Sequence, residues 1–175
     1  METVTHPIPP LFDASSRILI LGSFPSVKSR EGLFFYHHPQ NRFWKVLAGV
    51  LEEPVPGSIE EKKIFLLKHR IALWDVIASC TIEGSSDSTI KNVVPNDLSG
   101  ILSAADISRI FCNGGASFQY YKKYQEPRTG RAAVRLPQPA QRRLVLRPAD
   151  PGMGRHPGQP PCINRQDPRN NKLRR

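Results

Sequence analysis

Ile18-Leu-Ile-Leu-Gly-Ser-Phe-Pro-Ser26 decides the fold. Four consecutive aliphatic residues without polar alternation describe a strand buried on both faces, the pattern of a parallel sheet. Gly-Ser-Phe-Pro then ends the strand in a tight loop. About ten residues later, Tyr36-His-His-Pro-Gln-Asn-Arg-Phe-Trp44 gathers aromatic, imidazole and amide side chains just ahead of an amphipathic helix. In open α/β sheets ligands bind beyond the carboxyl ends of the strands, where such loops collect. These two segments are therefore the candidate active site.

Outward from that strand (17–22), elements of helical and extended character alternate. Residues 41–52 read as a helix with Phe43, Trp44, Leu47 and Val50 on one face. Ser58-Ile-Glu-Glu61 is a capping box, and the helix after it (59–69) is expected to bury Ile64, Leu66 and Leu67. Ile71-Ala-Leu-Trp-Asp-Val-Ile77 reads as a second strand, and Asp97 caps a short helix through Leu102. A third strand spans 107–112, a helix carries Phe118, Tyr121 and Tyr124, and Ala132-Ala-Val-Arg-Leu136 is a fourth strand. The expected fold is a three-layer α/β/α domain around a mostly parallel four-stranded sheet, joined by right-handed crossovers.

At 175 residues the chain suits one domain with a real core. The expected domain is 1–137, and composition changes after it. All fourteen aromatic residues lie at or before Tyr124, while 138–175 holds seven prolines and segments such as Gln138-Pro-Ala-Gln-Arg-Arg143. Proline removes backbone donors, and so little apolar surface does not offset chain entropy, so this stretch is expected to be disordered. Of the net charge of +10, the tail carries +7 and residues 1–137 only +3, so the basic excess says little about what the core binds. The tail reads either as a genuine basic extension that adds affinity for phosphates or as translation in a shifted frame. Cys80, Cys112 and Cys162 are too scattered for a disulfide framework or a zinc or iron–sulfur site, and they are expected to be reduced thiols. With no apolar run of ~18 residues, a soluble, cytoplasmic protein is expected, without metal or other cofactor.

The pairing of Gly22-Ser-Phe-Pro-Ser26 with His38-Pro-Gln-Asn-Arg-Phe-Trp44 resembles the uracil-DNA glycosylase superfamily. It is most similar to the hypoxanthine-DNA (deoxyinosine) glycosylase branch, itself similar to the mismatch-specific uracil glycosylases. Ala72-Leu-Trp-Asp-Val-Ile-Ala78, Glu83-Gly-Ser-Ser-Asp-Ser88 and Asn113-Gly-Gly115 also resemble that branch. The resemblance runs from about His6 to Pro137, where the family continues with a Ser-Pro-Ala-Asn loop and this chain reads Gln138-Pro-Ala-Gln.

The resemblance implies a monomeric DNA-repair glycosylase that hydrolyses the N-glycosidic bond of a deaminated base, hypoxanthine, flipped out of double-stranded DNA. Uracil or mismatch excision, or an inactive nucleic-acid-binding remnant, are the alternatives. Flipping costs a few kcal/mol, recovered by stacking and by hydrogen bonds to the base edge. Tyr36 aligns with the family's stacking aromatic and Phe35 adjoins it, although aromatics beside a helix start are often plain core. Asn41 is the expected water-positioning catalytic residue, its amide able both to accept and to donate; it also stands where a helix N-cap would. His38 is the second catalytic candidate and His37 a substrate contact, through a leaving base or a phosphate. Gly22, Ser23, Phe24 and Pro25 form the first loop, where glycine lets the backbone approach the base. Phe24 stands where related enzymes often carry a water-activating Asn or Asp. Asp75 is a further substrate contact and Asp87 a second polar possibility, while Ser26, Lys28, Ser29, Arg30 and Arg42 are candidate phosphate ligands on the DNA.

Overall fold

The computed structural model describes residues 2–136. In chain order the elements are β1 (Glu2–Thr5), β2 (Ile18–Gly22), α1 (Val27–Glu31), α2 (Phe43–Leu51), α3 (Ile59–Lys68), β3 (Ile71–Asp75), β4 (Ile77–Ile82), β5 (Lys91–Pro95), α4 (Ser99–Ala104), β6 (Arg109–Asn113), α5 (Gly115–Tyr120), α6 (Glu126–Thr129) and β7 (Ala133–Leu136). A 3-10 turn at Asp87–Thr89 precedes β5, and a π-helical turn at Tyr121–Gln125 joins α5 to α6.

The aliphatic run of β2 becomes an inner strand, with Leu19, Ile20 and Leu21 buried. It pairs in parallel with β3 on one side and β6 on the other, and β7 adds in parallel beyond β6, giving the order β3-β2-β6-β7. The α/β/α architecture with a parallel four-stranded sheet is thus the one the sequence predicts. Parallel strands force crossovers through helices; α3 contacts β3, while α5 contacts β6 and β7. The Ser58 capping box forms as expected, with the Ser58 hydroxyl accepting from Glu61 N and the Glu61 carboxylate accepting from Ser58 N.

Three features differ from the sequence reading. Residues 71–77 are not one strand: Val76 interrupts it, and the chain leaves the parallel sheet to enter a second, antiparallel sheet of order β1-β4-β5. Ile64 is 66% exposed, because the buried face of α3 is formed by Phe65 and Leu66 instead. Asp97 accepts from Ser99 N, but α4 starts one residue later than expected, with Leu98 as its N-cap. The expectations for 138–175 concern residues outside those described.

The exit of β3 matters most for the site. Val76 N donates to Gly22 O (2.9 Å) and Ile77 N to Ser23 O (3.2 Å), so the switch between sheets is stitched to the first loop. From behind, buried Asn96 donates from Nδ2 to the carbonyls of both Asp75 (2.9 Å) and Ile77 (3.1 Å). Asn96 O in turn accepts from buried Gln125 Nε2 (2.6 Å), which the π-helical turn delivers. Buried carbonyls left without such donors would each cost about 1–3 kcal/mol. Ser117 Oγ similarly donates to Leu21 O (2.7 Å), anchoring the end of β2 to α5.

Candidate active site

The C-terminal ends of β2, β3 and β6 open onto a cavity of about 210 Å³. Gly22, Asp75 and Asn113, the last residues of those strands, contribute to it. Ser23, Phe24, Pro25, Ser26 and Ser29 line it from the first loop and α1, and Phe35, Tyr36, Asn41 and Phe43 from the segment leading into α2. Ser85 and Asp87 complete the wall from the loop after β4. The two segments singled out in the sequence therefore share one cavity, with Tyr36 and Asn41 on the same lining.

Asp75 is 4% exposed, and its Oδ2 accepts from His6 Nε2 at 2.8 Å. His6 Nδ1 accepts the backbone N–H of Ile8 (3.1 Å), which leaves the ring proton on Nε2, facing the carboxylate. The imidazole is wedged edge-on against Phe24 and Trp74. The other oxygen of Asp75, Oδ1, lies over the Gly22 backbone: a Cβ placed on Gly22 would sit 2.0 Å from it and 3.1 Å from Tyr36 Oη. Only the absence of a side chain at Gly22 lets the carboxylate and the phenol come that close to the strand end.

Tyr36 adopts a left-handed backbone, φ 49°. Such a conformation costs a non-glycine residue roughly 1–2 kcal/mol and persists where the surroundings hold it. Here its ring stacks on Phe43 (centroids 4.0 Å apart, 19° between planes), and its hydroxyl accepts from Asn113 Nδ2 at 2.9 Å. Burial, reinforced by the negative charge of Asp75, pushes the Tyr36 phenol far above its usual range, so it stays a neutral O–H. Because its oxygen accepts from Asn113, its own proton remains free to donate.

Asn41 is half-buried, and its Oδ1 accepts from Phe43 N (2.9 Å) at the start of α2. The N-cap of α2 is Arg42, which makes no side-chain capping bond, so Asn41 stands one residue ahead of the cap position and ties the chain into the helix through an Asx turn; it also lines the cavity. Asp87 Oδ1 accepts from Ser23 Oγ at 2.8 Å. Burial of its carboxyl raises its pKa above the ordinary value, the nearby Asp75 charge adds to this, and the Ser23 hydroxyl opposes it.

Other residues expected at the site stand elsewhere. His38 is exposed, off the cavity, its Nδ1 accepting from Gln40 N (3.1 Å). His37 packs flat over Gly32, where a Cβ would lie 2.5 Å from its ring, and it does not line the cavity. The Arg30 side chain is 13% exposed, turned inward over the Phe24 ring and toward Glu2. Lys28 is paired with Glu31 (2.8 Å). Arg42 is exposed beside Gln40, Lys45 and Val46 in a separate shallow depression. Ser26, by contrast, does line the cavity, and it also caps α1 by accepting from Ser29 N. Four lining or supporting residues were not expected in these roles: Phe43, read as helix core; Asn113, read as a turn; Ser85; and His6. Among the described residues no group of three or more His, Cys, Asp and Glu side chains could hold a metal ion.

The strand ends of the parallel sheet thus close on a small cavity with an aromatic wall and a polar floor. Residues 9–150 match the Uracil DNA glycosylase superfamily, and the chain belongs to that superfamily. It is 39% identical over 114 residues to a protein named hypoxanthine DNA glycosylase from Methanosarcina acetivorans, and 33% identical over 114 residues to one of the same name from Methanosarcina barkeri. Each match covers 64% of this chain and 72% of the relative. The fold is also similar to a solution NMR structure from Methanosarcina acetivorans described as that of a proposed uracil DNA glycosylase, with TM-score 0.65 and 33% identity, covering 78% of this chain and 84% of that one.

Proposed function

We propose that this protein is a DNA glycosylase that hydrolyses the N-glycosidic bond of deoxyinosine, with hypoxanthine flipped into the cavity at the ends of β2, β3 and β6. The observation that carries this reading is the floor of that cavity: a carboxylate locked as a hydrogen-bond acceptor under an aromatic wall. Deamination of adenine converts N1 from a lone-pair acceptor into an N–H donor and replaces the 6-amino donor by a carbonyl. Asp75, with one oxygen held by the His6 N–H, offers its other oxygen to that N1–H and would repel the N1 lone pair of adenine. The Asn113 amide, oriented by its bond to Tyr36 Oη, keeps a second Nδ2 proton available to the new carbonyl. An unmet buried donor or acceptor is what makes such discrimination steep.

In this reading Tyr36 and Phe43 form the stacked wall against the base, with Phe24 and Phe35 closing the pocket beside them. Asn41, at the edge of the same cavity, orients the water that attacks C1′, using the Oδ1 lone pair and the amide protons that its bond from Phe43 N leaves free. Gly22, Ser23 and Pro25 bring backbone close to the bound base, and Ser26 and Arg42 face the DNA strand. The cavity size supports a single nucleobase rather than a larger ligand. On this reading the protein acts as a monomer, in the cytoplasm, on double-stranded DNA. No helix among the described residues is long and apolar enough to cross a membrane.

Base release from duplexes carrying a single deoxyinosine, a single deoxyuridine or no lesion tests the proposal. The expected order is deoxyinosine well above deoxyuridine, and nothing from undamaged DNA. Asn41→Ala should lose cleavage by about 10²-fold or more while keeping most duplex affinity. Preferred release of uracil would shift the assignment to the uracil branch. Binding of undamaged DNA with a steep salt dependence and no release would mark an inactive remnant.

A further inference from the structure

Among the described residues two carboxyl groups line the cavity, Asp75 and Asp87, and their settings differ. Asp75 is sunk beneath Gly22 with one oxygen held by His6. Asp87 stands on the 3-10 turn after β4, in a residue that remains solvent-accessible. Its Oδ1 is pinned by the Ser23 hydroxyl of the first loop (2.8 Å), and among the described residues Oδ2 accepts no protein hydrogen bond. A segment more than sixty positions along the chain thus lays a carboxylate against the loop that opens the site, where Phe24 supplies only an apolar ring.

We propose that Asp87 is the general base of the reaction: its free oxygen takes a proton from the water held at the cavity edge as that water attacks C1′. The inference rests on the glycosylase reading above and adds a residue to it. The balance is simple. The water oxygen bonds to C1′, and the C1′–N9 pair leaves with the base, which departs as an anion. The water's proton passes to Asp87 and then to solvent, and the base recovers a proton from water. Before the proton moves, the same negative charge favours the cationic character that develops on the sugar. Asp75, committed to the base edge, is not placed to do both tasks.

The groups that face Asp87 support this division. Asp75 from β3, Tyr36 from the loop before α2, Tyr120 from α5 and Cys80 from β4 lie within reach of its charge, and a cation beside its loop is Arg30 of α1, which donates to Gly84 O at 3.5 Å and lies over the Phe24 ring. Burial and the Asp75 charge both make its proton harder to lose than that of an ordinary aspartate, which moves the carboxylate toward the basicity a proton acceptor near neutral pH needs. The rate should therefore fall as pH drops through a value above the ordinary aspartate pKa, because protonation removes the base.

The test is Asp87→Asn, which keeps an oxygen to accept from Ser23 and so preserves the loop. Single-turnover release of hypoxanthine from a deoxyinosine duplex should fall by roughly 10²–10³-fold and lose its acidic limb, with duplex affinity by fluorescence anisotropy unchanged. Ser23→Ala, which removes the one hydrogen bond favouring the ionised form, should move the acidic limb of the profile to higher pH. Full activity in Asp87→Asn with the acidic limb intact would overturn the inference while leaving the glycosylase reading standing. Absence of release from any lesion by the unsubstituted protein would overturn both.

Discussion

At the scale of single residues the site depends on one missing Cβ. A methyl group on Gly22 would meet Asp75 Oδ1 at 2.0 Å and Tyr36 Oη at 3.1 Å, and neither group is free to retreat. The carboxylate is tied to His6 and the phenol to Asn113. Gly22→Ala should therefore displace the Asp75 carboxylate by about an ångström and, on the proposed function, reduce hypoxanthine release by at least ~10²-fold. It should also lower stability by about 1–3 kcal/mol, the usual cost of overpacking, read from urea denaturation. Gly49 is the control, since nothing lies within 4 Å of a Cβ built there. On the exposed face of α2, Gly49→Ala should raise stability by up to ~1 kcal/mol and leave activity alone. An unaffected Gly22→Ala enzyme would mean that the carboxylate has room to move and that the floor is not rigid.

At the scale of elements the decisive join is between β3 and β4, where one residue, Val76, carries the chain from the parallel sheet to the antiparallel one. Asn96 holds that join by donating to the carbonyls on both sides of it, and Gln125 secures Asn96 from the π-helical turn. Asn96→Ala should cost about 2–3 kcal/mol, because two buried carbonyls lose their donor. Its kcat should fall along with stability, since the Asp75 backbone is no longer fixed. Unchanged urea midpoint and kcat in this variant would show that water replaces the amide without penalty. The same join marks the limit of what the sequence reveals. β2, β3 and β6 were legible because unbroken apolar runs have few alternatives to a buried strand. β4 was not, since Ile77-Ala-Ser-Cys-Thr-Ile82 mixes small and hydroxylated residues, and β1 and β5 are polar edge strands without a clear apolar period. The site divides the same way. Residues adjacent in sequence, from Gly22 to Ser26 and from Phe35 to Asn41, could be grouped by motif. The pairings His6 to Asp75, Tyr36 to Asn113 and Ser23 to Asp87 span 64 to 77 positions, and only the strand order brings them together.

At the scale of the whole molecule the question is whether the two sheets are one cooperative structure. A single cluster of buried side chains runs from Leu19 and Leu21 of the parallel sheet through Val76 and Ile77 to Cys80 and Ile82 of the antiparallel one, and it includes Cys112 on β6. Shared burial of this kind joins one face of the parallel sheet to the antiparallel sheet, so local opening of one exposes the other. Cys80 and Cys112 report on the two sheets separately, and both are free and buried. Burial raises both thiols, Cys112 to about 11, so neither offers much reactive thiolate near neutral pH while the fold is intact. In a Cys162→Ser background, thiol labelling along a urea titration should leave both residues protected in the native range. They should then become reactive together, at the midpoint seen by circular dichroism. Labelling of Cys80 at a lower urea concentration than Cys112 would show that the antiparallel sheet detaches first. The Asp75 carboxylate, at the junction, would then be held by the parallel sheet alone.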